Sequence, residues 1–199
     1  MIKLIDKSGD KFKYIVVIGV STGGPQALRE LFSTLPKDLP LTYVVAQHMP
    51  EGYTASMAQR LDGISALTIK EPLDGAILRQ GEVYISPGGH QCQITNPILP
   101  TLKITTQAYY KGYRPSVNLL FSSLAKLNLN SIGIVLTGMG RDGLDGVRDL
   151  KQTNKSTIII QDINSSVVFG MPKAIYEAKL YDYVIGIKEM SNLIKKLVR

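Results

Sequence analysis

Ser21 lies in Gly19-Val20-Ser21-Thr22-Gly23-Gly24, a G-x-S-x-G pattern between an apolar, β-branched run and a stretch of helical spacing. Glycines in that setting permit a crowded turn that lifts the serine hydroxyl above a sheet edge. They also leave amides beside the helix start free for an anion. The plainer alternative is a Gly-rich turn with a Ser or Thr helix cap. His48 follows the next apolar run, in Gln47-His48-Met49-Pro50. That is a strand carboxyl end, where open α/β sheets place their sites, and a neutral imidazole there can take a serine proton. Asp142 follows a third run, in Gly138-Met139-Gly140-Arg141-Asp142-Gly143. An acid so placed holds the imidazole in the useful tautomer and stabilises the imidazolium formed during attack. Taken alone, Asp142 also reads as a helix cap. The only other histidine, His90, follows Pro87-Gly88-Gly89, which reads as a hairpin turn. Ser, His and Asp each fall just after a predicted parallel strand, and this common placement favours a hydrolytic triad.

The third turn also supports a rival. Gly138-x-Gly140-x-x-Gly143 is the dinucleotide fingerprint, it follows a strand, and Asp162 lies about 20 residues on, at the end of the next strand. Against this reading, the fingerprint usually opens a βαβ half, here it comes late, and Ser21 and His48 are left unexplained. The order Ser, His, Asp also differs from the Ser, Asp, His order of the α/β-hydrolases. A third alternative is an inactive scaffold of the same fold that binds an acidic partner.

The elements that must position these residues are short. β-Branched runs at 14–19, 42–46, 67–70, 83–86, 102–106, 132–137, 157–161 and 183–186 predict strands. Several are apolar throughout, as in strands buried on both faces. Helical spacing covers 26–33, 54–61, 116–127, 144–152, 173–179 and 189–198. The alternation predicts an α/β fold: a doubly wound, mostly parallel sheet flanked by helices. Residues 64–106 break the alternation, with turn signals at Leu73-Asp74-Gly75 and Pro87-Gly88-Gly89 and no room for helices, so an antiparallel hairpin excursion is expected there. Residues 1–13 read as a polar leader and 14–199 as one catalytic domain.

Composition narrows the class. The chain has 199 residues, 44% hydrophobic and 20% charged, which fits one folded domain with a sizeable core and excludes disorder and collagen. No apolar run approaches the roughly 20 residues of a membrane span, and the polar amino terminus lacks the apolar core of an export signal. A cytoplasmic location is therefore expected. Cys92 is the single cysteine, so no internal disulfide or cysteine metal cluster can form. The net charge of +7 favours acidic partners, but its basic residues are scattered without a stripe, so no nucleic-acid site is predicted.

Six blocks occur in order: VVIGVSTGGPQAL, AQHMPEGYTASMAQRLD, EVYISPGGH, YRPSVNLLFSSLA, IGIVLTGMGRDGLDG and SSVVFGMPKAI. Together, from about Tyr14 to the end of the chain, they closely resemble the catalytic domain of the bacterial chemotaxis protein-glutamate methylesterases, the CheB type. The resemblance implies a triad of Ser21, His48 and Asp142, with an oxyanion site formed by the Met139 amide and a supporting hydroxyl from Thr22. It also implies demethylation of glutamate methyl esters on a chemoreceptor, deamidation of glutamine as a second activity, and no metal or organic cofactor. The chain departs from the family at three places. Where the family usually has P-G-G-x-H it reads Pro87-Gly88-Gly89-His90-Gln91, Asn118 replaces the acid of P-S-V-D, and Ile163 stands at a commonly acidic position. Family members commonly carry an amino-terminal receiver domain, which thirteen residues cannot hold. Either a stand-alone esterase or an excised catalytic domain is expected.

Overall fold

The computed structural model describes residues 12–198. Strands β1 (Tyr14–Val20), β2 (Leu41–Gln47), β3 (Thr68–Lys70), β4 (Glu82–Ile85), β7 (Ser131–Val135), β8 (Ser156–Gln161) and β9 (Tyr183–Ile185) form one sheet in the order β3-β4-β2-β1-β7-β8-β9. Every pairing in it is parallel. Strands β5 (Gln91–Thr95) and β6 (Thr101–Thr105) pair antiparallel as a separate two-stranded sheet. Helices α1 (Gly24–Phe32), α2 (Thr54–Asp62), α3 (Val117–Leu127), α4 (Leu144–Lys151), α5 (Gly170–Glu177) and α6 (Ile187–Val198) cover the large sheet.

Uniformly apolar strands have a direct cause in this architecture. Along β1, Val16, Ile18 and Val20 face one core with α1, α2 and α6, while Ile15 and Val17 face a second with α3, α4 and α5. Successive side chains point to opposite faces, so a strand covered on both must be apolar at every position. The sheet grows from β1 toward β2 in one direction and toward β7 in the other. The crevice outside the carboxyl ends of β2, β1 and β7 is therefore the switch point, where doubly wound sheets bind ligands.

Two expectations change in detail. The antiparallel excursion is narrower than 64–106, because β3 and β4 join the main sheet in parallel through an irregular crossover, which leaves β5–β6 and the Ile77–Thr101 bridge as the antiparallel part. Strand β5 escaped the sequence reading because Gln91-Cys92-Gln93 is not a β-branched run. The Pro87-Gly88-Gly89 turn does not close a hairpin, but carries the chain from β4 to the small sheet. Of the polar leader, residues 1–11 lie outside the described residues, while Phe12 is buried in the second core and Lys13 N donates to Pro40 O.

One close approach fixes the site's geometry. A Cβ added to Gly19 on β1 would lie 2.2 Å from Cγ1 of Val117, so only glycine lets the start of α3 rest on the end of β1. Gly19→Ala is expected to cost about 1–3 kcal/mol through overpacking. The urea midpoint measures this, and an unchanged midpoint would contradict the packing described.

Candidate active site

Three neighbouring strands deliver three loops to one edge. Val20 pairs with Gln47 across β1 and β2, and His48 N donates to Val20 O at 3.0 Å, so Ser21 and His48 leave the sheet side by side. Gln47 Nε2 binds both Ser21 O and His48 O, at 3.1 and 3.0 Å, and ties the two turns together. From the other side Ser21 N donates to Thr137 O at 3.0 Å. A Cβ on Gly138 would lie 2.7 Å from Ser21 Cβ and 2.5 Å from the Met171 sulfur, which is why glycine is required in that loop. The N-cap of helix α1 is Gly23, whose φ of 83° is left-handed and which brings no side-chain hydrogen bond, so neither Ser21 nor Thr22 serves as the cap.

Asp142 does not cap its own helix either. The N-cap of α4 is Gly143, without a side-chain hydrogen bond, and the Asp142 side chain turns instead to the start of α3. There its Oδ2 accepts from Val117 N at 2.7 Å, while Oδ1 accepts from Asn118 N and Ser116 Oγ, both at 3.1 Å. Gly143 N adds a further bond at 3.1 Å. A fully buried carboxylate needs such donors, and a helix amino terminus supplies unpaired amides and the positive end of its dipole. The same Oδ2 accepts from His48 Nε2 at 2.8 Å. With Nε2 committed to the acid, Nδ1 is the ring nitrogen left to take a proton from a nucleophile.

Ser21 is half-buried and its hydroxyl makes no hydrogen bond among the described residues, to His48 or otherwise. Contacts between nucleophile and base are often long in free enzymes and tighten when substrate binds. Thr22 is exposed, its hydroxyl without a partner among the described residues, and its carbonyl accepts from Thr137 Oγ1 at 2.8 Å. Met139 exposes 68% of its surface, and its amide has no acceptor among the described residues. The flanking Gly138 is pinned, by its own N–H to Val168 O and by Gly170 and Met171 amides to its carbonyl. The Met139 amide is thus held on a fixed loop and left free to donate.

The rival assignment fares differently. At the start of α4 the Gly143 and Gly146 amides donate to Asn118 Oδ1, each at 3.0 Å, so those two amides are already occupied. Asp162 Oδ1 accepts from Ser165 N and Oγ at 2.9 and 2.6 Å, closing its own turn. His90 stays outside the network, its Nδ1 3.1 Å from Gly88 O. Nor is Cys92 a competing nucleophile, since burial pushes its thiol up to about 11. At the rim, the ammonium of Lys111 binds Asp145 Oδ2 at 2.6 Å and holds that carboxyl below its usual value.

Sequence reasoning missed three contributors. Tyr113 stacks on His48, Ser116 donates to Asp142, and buried Gln91 reaches the backbone of both. Ser116 alone carried a local signal, as a serine preceding an apolar helical run.

Residues 16–194 match the CheB methylesterase family model. The chain belongs to that family. Among curated proteins it is 45% identical over 185 residues to the protein-glutamate methylesterase/protein-glutamine glutaminase of Oceanobacillus iheyensis, covering 92% of this chain and 53% of that protein. Its identity to the Geobacillus kaustophilus protein of the same name is 40% over 186 residues, with the same coverage of each. The chain spans about half the length of these relatives. The crystal structure of the Thermotoga maritima CheB methylesterase catalytic domain superposes with a TM-score of 0.89 at 38% identity, covering 93% of this chain and 98% of that one. The CheB methylesterase fold therefore extends over nearly all the described residues.

Proposed function

We propose that this chain is the catalytic part of a protein-glutamate methylesterase in which Ser21 is the nucleophile, His48 the base and Asp142 the acid that orients it. The observation that carries the reading is the buried Asp142 carboxylate bound to His48 Nε2 at 2.8 Å, beside the Ser21 turn. Ser21 Oγ attacks the ester carbonyl of a methylated glutamate side chain as His48 Nδ1 takes its proton. The Met139 amide donates to the resulting oxyanion, an interaction worth roughly 3 kcal/mol of barrier when well aimed. The Thr22 hydroxyl supports it from the adjacent turn. The imidazolium returns its proton to the leaving oxygen, methanol departs, and an acyl-enzyme remains. Water, deprotonated by the same nitrogen, then releases glutamate and restores Ser21. With a glutamine side chain the leaving group is ammonia, which makes deamidation a second activity.

The substrate in this reading is a methylated chemoreceptor, attacked on its cytoplasmic helices. A protein side chain needs an open approach more than a deep pocket. The cavity of about 750 Å³ between α1 and α2 is lined by residues such as Gln26, Arg29, Met57 and Arg60 and includes none of the proposed triad. Among the described residues no helix is long and apolar enough to cross a membrane, consistent with the proposed cytoplasmic location. Residues 14–199 act as one catalytic domain in this account, with no metal or organic cofactor.

A fluorophosphonate probe tests the assignment, because it forms a stable adduct only with an activated serine. The adduct should map to Ser21, disappear in His48→Gln and persist in His90→Gln. Labelling that survives His48→Gln but is lost in His90→Gln would move the base to His90 and refute the assignment.

A further inference from the structure

We infer that Tyr113 is a positioning residue of this site: its ring, stacked on the imidazole of His48, fixes the plane of the base and stabilises the positive charge that base acquires during attack. The ring centroids are 4.4 Å apart and the planes differ by 15°. The Asp142 bond holds His48 only at Nε2, one point on the ring edge, which leaves the imidazole free to tilt about that contact. A flat partner on its face removes that freedom. The effect is also unequal along the reaction. His48 is neutral before attack and cationic in the tetrahedral intermediate, and an aromatic face attracts the cation more strongly.

Tyr113 is itself clamped. Its carbonyl accepts from Gln91 Nε2 at 2.9 Å, and its backbone closes a turn with Tyr110 through two bonds of 3.0 Å. Gln91 is fully buried, and its Oε1 accepts from Ser116 N at 2.9 Å. Ser116 Oγ in turn donates to Asp142, so one glutamine braces both the ring above the base and the donors around the acid. Below the ring edge, a Cβ on Gly140 would lie 2.7 Å from the Tyr113 hydroxyl oxygen, so the Gly140 turn closes against it. Among the described residues that hydroxyl makes no hydrogen bond, which leaves the ring face as the working part.

The inference rests on the proposed Ser21–His48–Asp142 reading, and its test uses methanol release from methylated receptor by variants of the whole chain. Tyr113→Leu is expected to lower kcat about tenfold with KM within about twofold, as a group acting on the charged base does. Tyr113→Phe should restore kcat to within about twofold of the wild type, because it keeps the aromatic face. Tyr113→Met gives the same contrast if the leucine variant does not fold. Wild-type kcat in the aliphatic variant, a loss confined to KM, or a phenylalanine variant as slow as leucine would each overturn the inference. Ser21→Ala measured alongside separates the two claims. If Ser21→Ala is inactive and the aliphatic variant is as fast as the wild type, only the Tyr113 role fails, whereas an active Ser21→Ala removes the reading beneath it.

Discussion

Ser21→Ala should lose methanol release by roughly 10⁶-fold in kcat, because triad members act as a unit and removal of the nucleophile forfeits nearly all they contribute together. Stability should barely change. The Ser21 hydroxyl makes no hydrogen bond among the described residues, so its removal leaves no buried partner unsatisfied. Turnover on methylated receptor and a thermal melt check both halves of the prediction. Wild-type turnover in a folded variant would refute Ser21 as nucleophile.

Asp142→Asn should cost both activity and stability. The carboxylate accepts from Val117 N, Asn118 N, Gly143 N, Ser116 Oγ and His48 Nε2, and an amide can accept on one side only. If the new oxygen faces His48 and Val117, the new NH₂ meets the Asn118 amide, a donor left unpaired at about 1–3 kcal/mol, while Gly143 N keeps its second acceptor, Asn118 Oδ1. If the NH₂ faces His48 instead, it donates to Nε2 and forces the ring proton onto Nδ1, where it blocks uptake of the serine proton. The second outcome is the tautomer failure that costs about 10⁴ in turnover in serine proteases. Either orientation should give a slow enzyme with a depressed unfolding midpoint. Asp162→Ala is the contrast, with turnover near wild type, because the bonds of the Asp162 carboxylate are to Ser165. Measurable dinucleotide affinity together with an active Asp142→Asn would favour the rival reading of the Gly138 turn.

These two substitutions also mark what the sequence made legible. Ser21, His48 and Asp142 could be named as a candidate site because each follows an apolar strand, and parallel strands send their carboxyl ends to one edge. The uniformly apolar β1 foretold a sheet covered on both faces for the same reason. The partners of Asp142 other than His48 were not legible. The plainer alternative for Asp142 was a cap on α4, whereas its side chain crosses to the start of α3, where Val117 packs on Gly19. Tyr113 was hidden in the same way, since its stacking on His48 depends on a turn held by Gln91 of β5. That strand opens with Gln91-Cys92-Gln93 and has β-branched residues only at its end, and β3 and β4 gave no sign of pairing in parallel without an intervening helix. Local pattern carries the position of each element along the chain, while long-range packing determines which side chains meet.

The most direct test of the methylesterase reading is to incubate the purified chain with methylated chemoreceptor, quantify methanol, and read the receptor peptides by mass spectrometry. Methanol should appear in proportion to glutamyl methyl esters converted to free glutamate, and Ser21→Ala should release none above background. Folded wild-type chain that leaves every methyl ester intact, or that releases methanol equally well without Ser21, would contradict the account.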